Sequence, residues 1–370
     1  MLEVVLICLG ILAYTYVGYP IVIGALARLA PRAVIVDPRW HPAVTVCIAA
    51  HNAAGTIGAK LASVTGQDYP RGRLDVLVYS DGSTDATDDI VSAWARRDPR
   101  VRLIRGERRR GKPTALNRMR QEATGEVLLI TDARQPLERV ALRALVELLA
   151  DPSVGCVTGN LVLDGEAASG VYWRYENWLR RQEARFRSVV GMTGPIAAIR
   201  RRDLPPLPSD LILDDVWIPM RMRLRGLRVL FAERAIAYDR AFEDGREFGR
   251  KVRTLAGNYQ VFARMPALLS WRVNPSWFET VSHKVLRLVC PWALIAMFLL
   301  TAAAAASPAT ALAARVAEAL LVGQVAFYGA ALLGPRAGRW AGVARTFVLM
   351  HVAALVGLWR FATGNQKITW

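Results

Sequence analysis

The sequence predicts an α/β domain built on a parallel sheet, with membrane-spanning helices at both ends of the chain. Between residues 44 and 132, short apolar segments alternate with helical patterns, which is typical of βαβ units. Of the 370 residues, 53% are hydrophobic, and the excess lies in long apolar stretches at the two ends. We therefore expect about four transmembrane helices beside the α/β domain.

The first apolar stretch, residues 2–29, is long enough to cross a bilayer. Arg28, Arg32 and Arg39 occur at its end and after it, so the positive-inside rule places the next domain in the cytoplasm. Three more apolar stretches close the chain, at residues 286–306, 312–333 and 343–359. Because an arginine is costly in the hydrocarbon core, Arg345 indicates that the last stretch is short, tilted or partly re-entrant.

A segment rich in tryptophan, proline and basic residues separates the α/β domain from the C-terminal apolar stretches. This composition is typical of a chain lying in the membrane interface. The predicted parts are thus an N-terminal transmembrane helix, a cytosolic α/β domain, an interface segment and C-terminal transmembrane helices, at residues 1–30, 40–262, 263–284 and 285–361.

The formal net charge is +17, and only five of the 48 basic residues are lysine. An arginine excess can serve phosphate or membrane-surface contacts, but a GC-rich genome produces it equally well. The basic residues are spread along the chain beside membrane stretches, so nucleic-acid binding is not expected. The four cysteines show no metal-type spacing and indicate reduced packing residues, as in a cytosolic domain.

Four strands are predicted at the start of the α/β domain, at residues 44–50, 74–81, 101–105 and 126–131. Each runs into a polar turn, and ligands bind at the carboxyl ends of the strands in open α/β sheets. The turns are Ala50-His-Asn52, the acidic segment 80–85, a basic loop with Gly111-Lys112, and Asp132-Ala-Arg-Gln135. Beyond them we expect strands at 154–163 and 227–231, an acidic turn at 213–217, and helices at 172–186 and 247–264.

Asp81, at the end of the second strand, admits two interpretations. Its carboxylate can accept hydrogen bonds from a base N–H or from ribose hydroxyls, as recognition of a nucleoside requires. The same stretch can also form an Asx turn followed by a helix cap, with no ligand involved. The pattern of this stretch by itself favours neither interpretation.

Taken together, the motifs resemble a membrane-bound family 2 glycosyltransferase of the GT-A fold, in the group of hyaluronan, chitin and cellulose synthases. The resemblance covers roughly residues 44–260 and depends on motifs in one order: Ala50-His-Asn52, the 80–85 turn, Gly111-Lys112 with Asn117, the Asp132 turn, Thr193-Gly-Pro195, Asp214-Asp215 and Arg250-x-x-Arg253. It implies an inverting enzyme that moves a sugar from a nucleotide sugar to a hydroxyl of a polysaccharide or lipid-linked glycan. The donor is expected to be UDP-linked.

The resemblance also implies a set of donor-binding residues: Ala50, Asn52, Asp81, Lys112, Asp132, Arg134, Arg250 and Arg253. Asp132 matches the first residue of the family's DxD motif, which holds ribose and the Mg²⁺ or Mn²⁺ ion that bridges the diphosphate. Arg134 replaces the second Asp of that motif and puts metal binding in question. Either Arg134 contacts phosphate directly, or Asp132 holds the ion together with waters.

Asp215 matches the family's general base, which takes a proton from the attacking hydroxyl. Asp214 and the loop Thr193, Gly194 and Pro195 are implied as acceptor contacts. A second interpretation is that the two aspartates only cap a helix. Thr254 stands where the family has a tryptophan under the acceptor sugar, so the sequence does not decide between processive and single addition.

Two other functions fit the same features. A polyprenyl-phosphate glycosyltransferase has an ionised phosphate acceptor and needs no base, so the aspartate pair favours a hydroxyl acceptor. A non-catalytic membrane protein could use the domain only to sense a nucleotide. The expected partners are the nucleotide sugar, a glycan or lipid-linked acceptor and a bilayer of bacterial inner- or plasma-membrane type. The sugar and the oligomeric state stay open.

Overall fold

The computed structural model describes residues 1–164, 169–240, 244–307 and 310–367. In this part of the chain the strands are β1 Val44–Ala50, β2 Leu74–Asp81, β3 Val101–Gly106, β4 Val127–Asp132, β5 Val154–Asp164, β6 Ile196–Arg200 and β7 Arg228–Arg240. They form one seven-stranded sheet with the order β3-β2-β1-β4-β6-β5-β7.

The helices begin before the sheet and continue after it. The N-terminal pair is α1 Leu2–Ala13 and α2 Tyr19–Leu29. Those of the α/β domain are α3 Ala54–Thr65, α4 Thr87–Arg97, α5 Lys112–Glu122, α6 Ala141–Leu149, α7 Ser169–Phe186, α8 Asp214–Leu224 and α9 Asp244–Arg264. The C-terminal ones are α10 Trp277–Glu279, α11 Leu286–Ala306, α12 Ala311–Leu333 and α13 Arg339–Ala362.

Strands β3, β2, β1 and β4 pair in parallel, as the alternating pattern predicts. Every residue of β1 is buried, because a central parallel strand is covered on both faces, and this explains its continuous apolar run. The register places Ala49 opposite Asp132 and Ala50 opposite Ser80. The polar turns after these strands therefore meet at one edge of the sheet.

The other half of the sheet corrects the prediction of a parallel sheet. Strand β6 runs antiparallel to both β4 and β5, and it was not predicted, because its short apolar run carries no clear period. Strand β7 is longer than the predicted segment 227–231. Its pairing with β5 jumps from Ala232 to Ile236, so the charged residues Glu233 and Arg234 bulge out before the ladder resumes.

The predicted acidic turn at residues 213–217 is the first turn of α8. Leu213 is the N-cap residue and makes no side-chain cap bond, while Asp214 and Asp215 lie inside the helix. The interpretation of the two aspartates as helix caps is therefore wrong. Their charges still suit this position, because the N-terminal end of a helix dipole is positive.

Four helical stretches among the described residues are long and apolar enough to cross a membrane: Leu2–Leu29, Trp277–Ala306, Ala311–Ala337 and Arg339–Ala362. Their number confirms the expectation. The end of the predicted interface segment is helical and continuous with α11. Helix α13 also packs on α9, where Phe361 stacks on Tyr259 with ring centroids 6.5 Å apart. The last helix is thus tied to the α/β domain.

Candidate active site

Residues that are distant in sequence meet at the carboxyl edge of the parallel strands. Lys112, the first residue of α5, places its Nζ atom 2.8 Å from Asp132 Oδ1 and 3.2 Å from Asp214 Oδ2. A Cβ atom added to Gly194 would stand 3.8 Å from Asp215 Oδ2 and 3.9 Å from Lys112 Nζ. We call these five residues the central cluster.

Lys112 joins the two acidic parts of the central cluster. Burial lowers its pKa, but the carboxylates of Asp132 and Asp214 raise it more, so the pKa lies above the ordinary lysine value. The ammonium group is therefore charged at neutral pH. Lys112 is the residue predicted to supply a positive charge to the nucleotide. In the structure its ammonium group is already paired with Asp132 and Asp214, and a bound diphosphate would share the ammonium group with these two carboxylates.

Asp215, for which a general-base role stays a prediction, is a buried carboxylate with a raised pKa. Burial and the neighbouring charge of Asp214 raise its pKa to about 6, against the smaller opposite effects of Lys284, Lys112 and Arg180. Its Oδ1 atom is buried and accepts no hydrogen bond from the described residues. A carboxylate that is ionised at neutral pH, yet binds a proton more strongly than an ordinary aspartate, suits proton transfer.

The loop of Thr193, Gly194 and Pro195 is tied to the sheet on two sides. The Thr193 amide donates to Thr158 Oγ1 of β5 at 2.6 Å, and Thr131 Oγ1 of β4 donates to the Pro195 carbonyl at 2.6 Å. These bonds hold Gly194, which has no side chain, beside Asp215. The acceptor role of the loop stays a prediction.

Asp81 lies at the same sheet edge but is fully buried. Its Oδ1 atom accepts a hydrogen bond from the Arg110 amide at 2.8 Å, and its Oδ2 atom accepts one from the Gly111 amide at 2.7 Å. The basic loop also covers Gly82, where a Cβ would come within 2.7 Å of the Arg109 nitrogen. In this conformation Asp81 holds the loop, and a nucleoside reaches the carboxylate only if the loop moves. Its donor role stays a prediction.

Ala50 and Asn52 shape the turn after β1. Asn52 has a left-handed backbone with φ 48°, which asparagine tolerates better than most residues. Its side-chain Oδ1 atom accepts a hydrogen bond from the Thr84 backbone amide at 2.8 Å, and its own backbone amide donates to Ser83 Oγ at 3.1 Å. Ala50 is buried. Both predicted donor contacts thus lie where the turns after β1 and β2 are joined.

Lys60 belongs to this region, although the sequence did not predict it. Its Nζ atom is fully buried and donates to Thr131 Oγ1 and to the Gln135 carbonyl, both at 2.6 Å. Burial lowers its pKa to about 7, and the charge of Asp132 opposes this effect. Lys60 therefore anchors both ends of the Asp132 turn. The available signal was a lysine among apolar helix positions, in a chain with five lysines.

The side chains near Asp132 do not fit a protein-held Mg²⁺ or Mn²⁺ ion. Arg134, at the second position of the motif, lies 2.7 Å from Asp239 Oδ2, and Gln135 donates to the same oxygen at 2.8 Å. Asp132 itself contacts Lys112. Among the described residues, no three His, Cys, Asp or Glu side chains are grouped as metal ligands. Such ions bind through several oxygen atoms, and the carboxylates of Asp214 and Asp239 near this turn are paired with Lys112 and Arg134.

The two arginines of α9 face different parts of the site. Arg253 donates to the Ile212 carbonyl at 3.4 Å, in the segment just before α8. Partial burial and the nearby charge of Arg134 lower the pKa of Arg250. The guanidinium groups of Arg134 and Arg250 therefore repel each other, and two such groups suit a phosphate anion. Arg250 thus lies near the Asp132 turn and Arg253 near α8, and their donor roles stay predictions.

A solved structure shares this architecture over nearly the whole chain. The mannosyltransferase PcManGT from Pyrobaculum calidifontis, in complex with GDP-Man and Mn²⁺, has a TM-score of 0.77 and 28% sequence identity. The match covers 97% of this chain and 99% of that chain. Together with the mixed seven-stranded sheet, this likeness defines the class: the α/β domain has the GT-A fold.

The family follows from sequence comparison. Residues 45–205 match Glycosyl transferase family 2, so this part of the chain carries a domain of that family, as the motifs predicted. The probable glycosyltransferase YdaM of Bacillus subtilis is 27% identical over 253 residues, which cover 62% of this chain and 60% of YdaM. An N-acetylglucosaminyltransferase of Rhizobium meliloti is 32% identical over 181 residues, covering 46% and 42%. The matches thus span about half of these relatives.

Proposed function

We propose that this chain is a membrane-bound inverting glycosyltransferase that moves a sugar from a nucleotide donor to a hydroxyl of a glycan or lipid-linked acceptor. The observation that carries the proposal is the position of Asp215. Its carboxylate lies beside Gly194, has a pKa raised to about 6 and keeps one oxygen without a hydrogen bond among the described residues.

In the proposed step, Asp215 accepts the proton of the acceptor hydroxyl while the hydroxyl oxygen attacks the anomeric carbon of the donor sugar. The new C–O bond forms as the bond from that carbon to the diphosphate breaks, and the nucleoside diphosphate leaves with the electron pair. With a pKa of about 6, roughly nine in ten Asp215 side chains are ionised at neutral pH. One base and one direct displacement imply inversion.

The leaving diphosphate needs positive charge, which we assign to this chain's own side chains. The charges of Arg134 and Arg250 act on each other near the Asp132 turn, and Lys112 of the central cluster contacts Asp132 itself. A fixed pair of guanidinium groups can bind two phosphate oxygens at once. Metal dependence is typical of the fold, but the set of side chains around Asp132 does not support a resident ion.

The acceptor is proposed to approach from the membrane. Four apolar helical stretches of the described chain support a membrane protein, and the arginines after the first of them favour a cytoplasmic α/β domain. The relatives include a beta-monoglucosyldiacylglycerol synthase of Synechocystis, 27% identical over 202 residues. A lipid-borne acceptor therefore has a precedent by name among proteins similar to this one.

The test uses full-length protein in lipid nanodiscs and a panel of radiolabelled UDP-sugars and GDP-mannose. The expected result is that one donor is consumed and that its label enters a glycan or a lipid extract. GDP-mannose belongs in the panel because PcManGT was solved with it. A protein that binds a panel member tightly but never breaks the sugar–phosphate bond would be a nucleotide sensor, and the proposal would be rejected.

A further inference from the structure

Lys284 is a basic residue beside the proposed base that the motifs did not identify. It lies in the helical stretch that leads into α11, and its side chain is half-buried. The Nζ atom would stand 3.6 Å from a Cβ added to Gly191, and that same point is 3.8 Å from the Asp215 carbonyl oxygen. Lys284 makes no hydrogen bond or ion pair with the described residues.

Arg180 of α7 adds a second positive charge on this side. It donates to Thr193 Oγ1 at 2.7 Å, within the loop that carries Gly194, and its guanidinium lies 5.4 Å from the Trp173 ring centroid. It pairs with no carboxylate among the described residues. Its charge and that of Lys284 both act on Asp215.

Glu176, the carboxylate with the largest effect on Lys284, is itself paired with two other groups. Glu176 lies 2.5 Å from Arg287 and 3.2 Å from His283. Lys284 and Arg180 are therefore two half-buried cations without a direct ion pair among the described residues, and only the longer-range negative charges of Glu176 and Asp215 act on Lys284. Such charges are costly unless an anion or water satisfies them, so the arrangement favours a ligand that carries negative charge.

The position of Lys284 indicates where such a ligand comes from. Lys284 lies near the start of the candidate membrane span Trp277–Ala306, which places it where a bilayer would meet the α/β domain. Trp271 and Trp292, on either side of it in sequence, are 69% and 51% exposed, as tryptophans at a membrane interface are. A lipid headgroup at this level would lie beside Lys284.

We propose that Lys284 and Arg180 form a phosphate subsite for the acceptor, which is therefore an anionic, phosphate- or diphosphate-linked lipid that carries a sugar. This inference rests on the proposed transfer reaction. The lipid phosphate binds the two cations and is not itself the nucleophile. A hydroxyl of the attached sugar loses its proton to Asp215 and attacks the donor, and the lipid–phosphate bonds stay intact.

The test measures binding of farnesyl diphosphate and of farnesol to full-length protein in nanodiscs of neutral lipid. We expect farnesyl diphosphate to bind at least about tenfold more tightly. Lys284→Met should remove this preference, whereas Lys284→Arg should keep it because the charge is retained. Lys367→Met, which removes an exposed lysine beyond α13, is the matched control and should bind like the parent protein.

Three results would overturn the inference. One is equal binding of farnesol and farnesyl diphosphate. Another is equal binding of inorganic diphosphate, which would show that no lipid is recognised. The third is displacement of farnesyl diphosphate by UDP or GDP, which would locate it in the donor site near Arg250. The donor panel above is independent: transfer with no phosphate preference rejects only the lipid inference, and no transfer rejects the proposed function itself.

Discussion

The proposed donor side and the proposed acceptor side of the central cluster differ in how their charges are balanced. On the donor side, Lys112 contacts both Asp132 and Asp214, and Arg134 contacts Asp239. On the acceptor side, Asp215 keeps a buried oxygen without a hydrogen bond from the described residues. Lys284 and Arg180 act on Asp215 from that side and make no direct ion pair with the described residues.

The difference indicates what each side needs from its ligand. On the donor side a ligand must replace ion pairs that already exist. The paired side chains are therefore held in place before the donor binds. On the acceptor side a ligand completes groups that are unsatisfied in its absence. We therefore expect substitutions on the acceptor side to impair transfer with little effect on donor binding, and substitutions on the donor side to impair donor binding.

The largest effect is expected for Asp215→Asn. The amide cannot accept the hydroxyl proton, so the transfer rate should fall by about 10²- to 10⁴-fold. The dissociation constant for the donor nucleotide should stay within about twofold of the parent value, since the base is assigned to the acceptor side. Product formation and nucleotide binding are measured on the same preparation. Unchanged turnover would remove Asp215 from the mechanism.

Gly194→Ala probes the space beside that base. The added methyl would meet Asp215 Oδ2 and Lys112 Nζ at 3.8 and 3.9 Å, which is ordinary van der Waals contact, so the fold should be kept. It would occupy the place of the acceptor hydroxyl, and we expect kcat/KM for the acceptor to fall by about tenfold. Gly58→Ala, with open space around its Cβ, is the control. Equal kinetics of the two variants would argue against acceptor binding at Gly194.

Arg134→Asp probes the charge balance of the donor side. In the parent protein, EDTA should weaken nucleotide diphosphate binding by less than about threefold, since arginines supply the charge. The substitution adds a second carboxylate near Asp132, and binding should then depend on Mn²⁺ by about tenfold. Calorimetry with and without Mn²⁺ measures nucleotide diphosphate binding by the parent protein and by the variant. Arg134→Met is the control that separates the loss of the arginine from the gain of the carboxylate. A parent protein that requires Mn²⁺ for binding would contradict the assignment.

The pH profile separates the charges around the base. Transfer needs ionised Asp215, so kcat/KM should fall as the pH drops through about 6. Asp214 raises the pKa of Asp215, so Asp214→Asn should move the acidic limb to lower pH. Lys284 lowers that pKa, so Lys284→Met should move the limb to higher pH, each by up to about one pH unit. A limb that moves in neither variant would show that a different group titrates.

The smallest effect on the chemistry is expected from Gly257→Ala, in the helix that supports the acceptor side. A Cβ there would come within 2.5 Å of Leu213 Cβ, so the segment before Asp214 must shift. We expect a loss of about 1–3 kcal/mol in unfolding free energy, seen as a lower melting temperature in detergent, and a few-fold loss of transfer. Gly249→Ala is the control on the same helix, because a Cβ added at Gly249 would have no atom within 4 Å. This variant should keep both the parent melting temperature and the parent transfer rate.

Part of this arrangement could be predicted because it depends on local sequence. Strand β1 is buried on both faces, so its apolar run is visible without any partner. The Asp132 motif follows β4, whose apolar run is also visible in the sequence, whereas Asp214 and Asp215 were identified through their resemblance to a family motif. Strand β6 could not be predicted in this way, since its five residues carry no clear period and its antiparallel pairing with β4 depends on a distant segment.

The charged groups show the same limit. Lys60 is remote in sequence from Thr131 and Gln135, and only folding brings its ammonium group to them. Lys284 is the last residue of the predicted interface segment and resembles an ordinary interface lysine in the sequence. Its relation to Asp215 exists only because α8 and the start of that stretch pack on the Gly191 segment.

By itself, the sequence determined the parallel core strands, the four apolar stretches and the order of the acidic and basic motifs. Each of these features depends only on the hydrophobic period or the composition of a short segment. The tertiary structure decided which charges neutralise one another and which stay unsatisfied beside Asp215. Ion pairing depends on distances of a few ångströms between side chains far apart in sequence, and only the packed fold sets those distances.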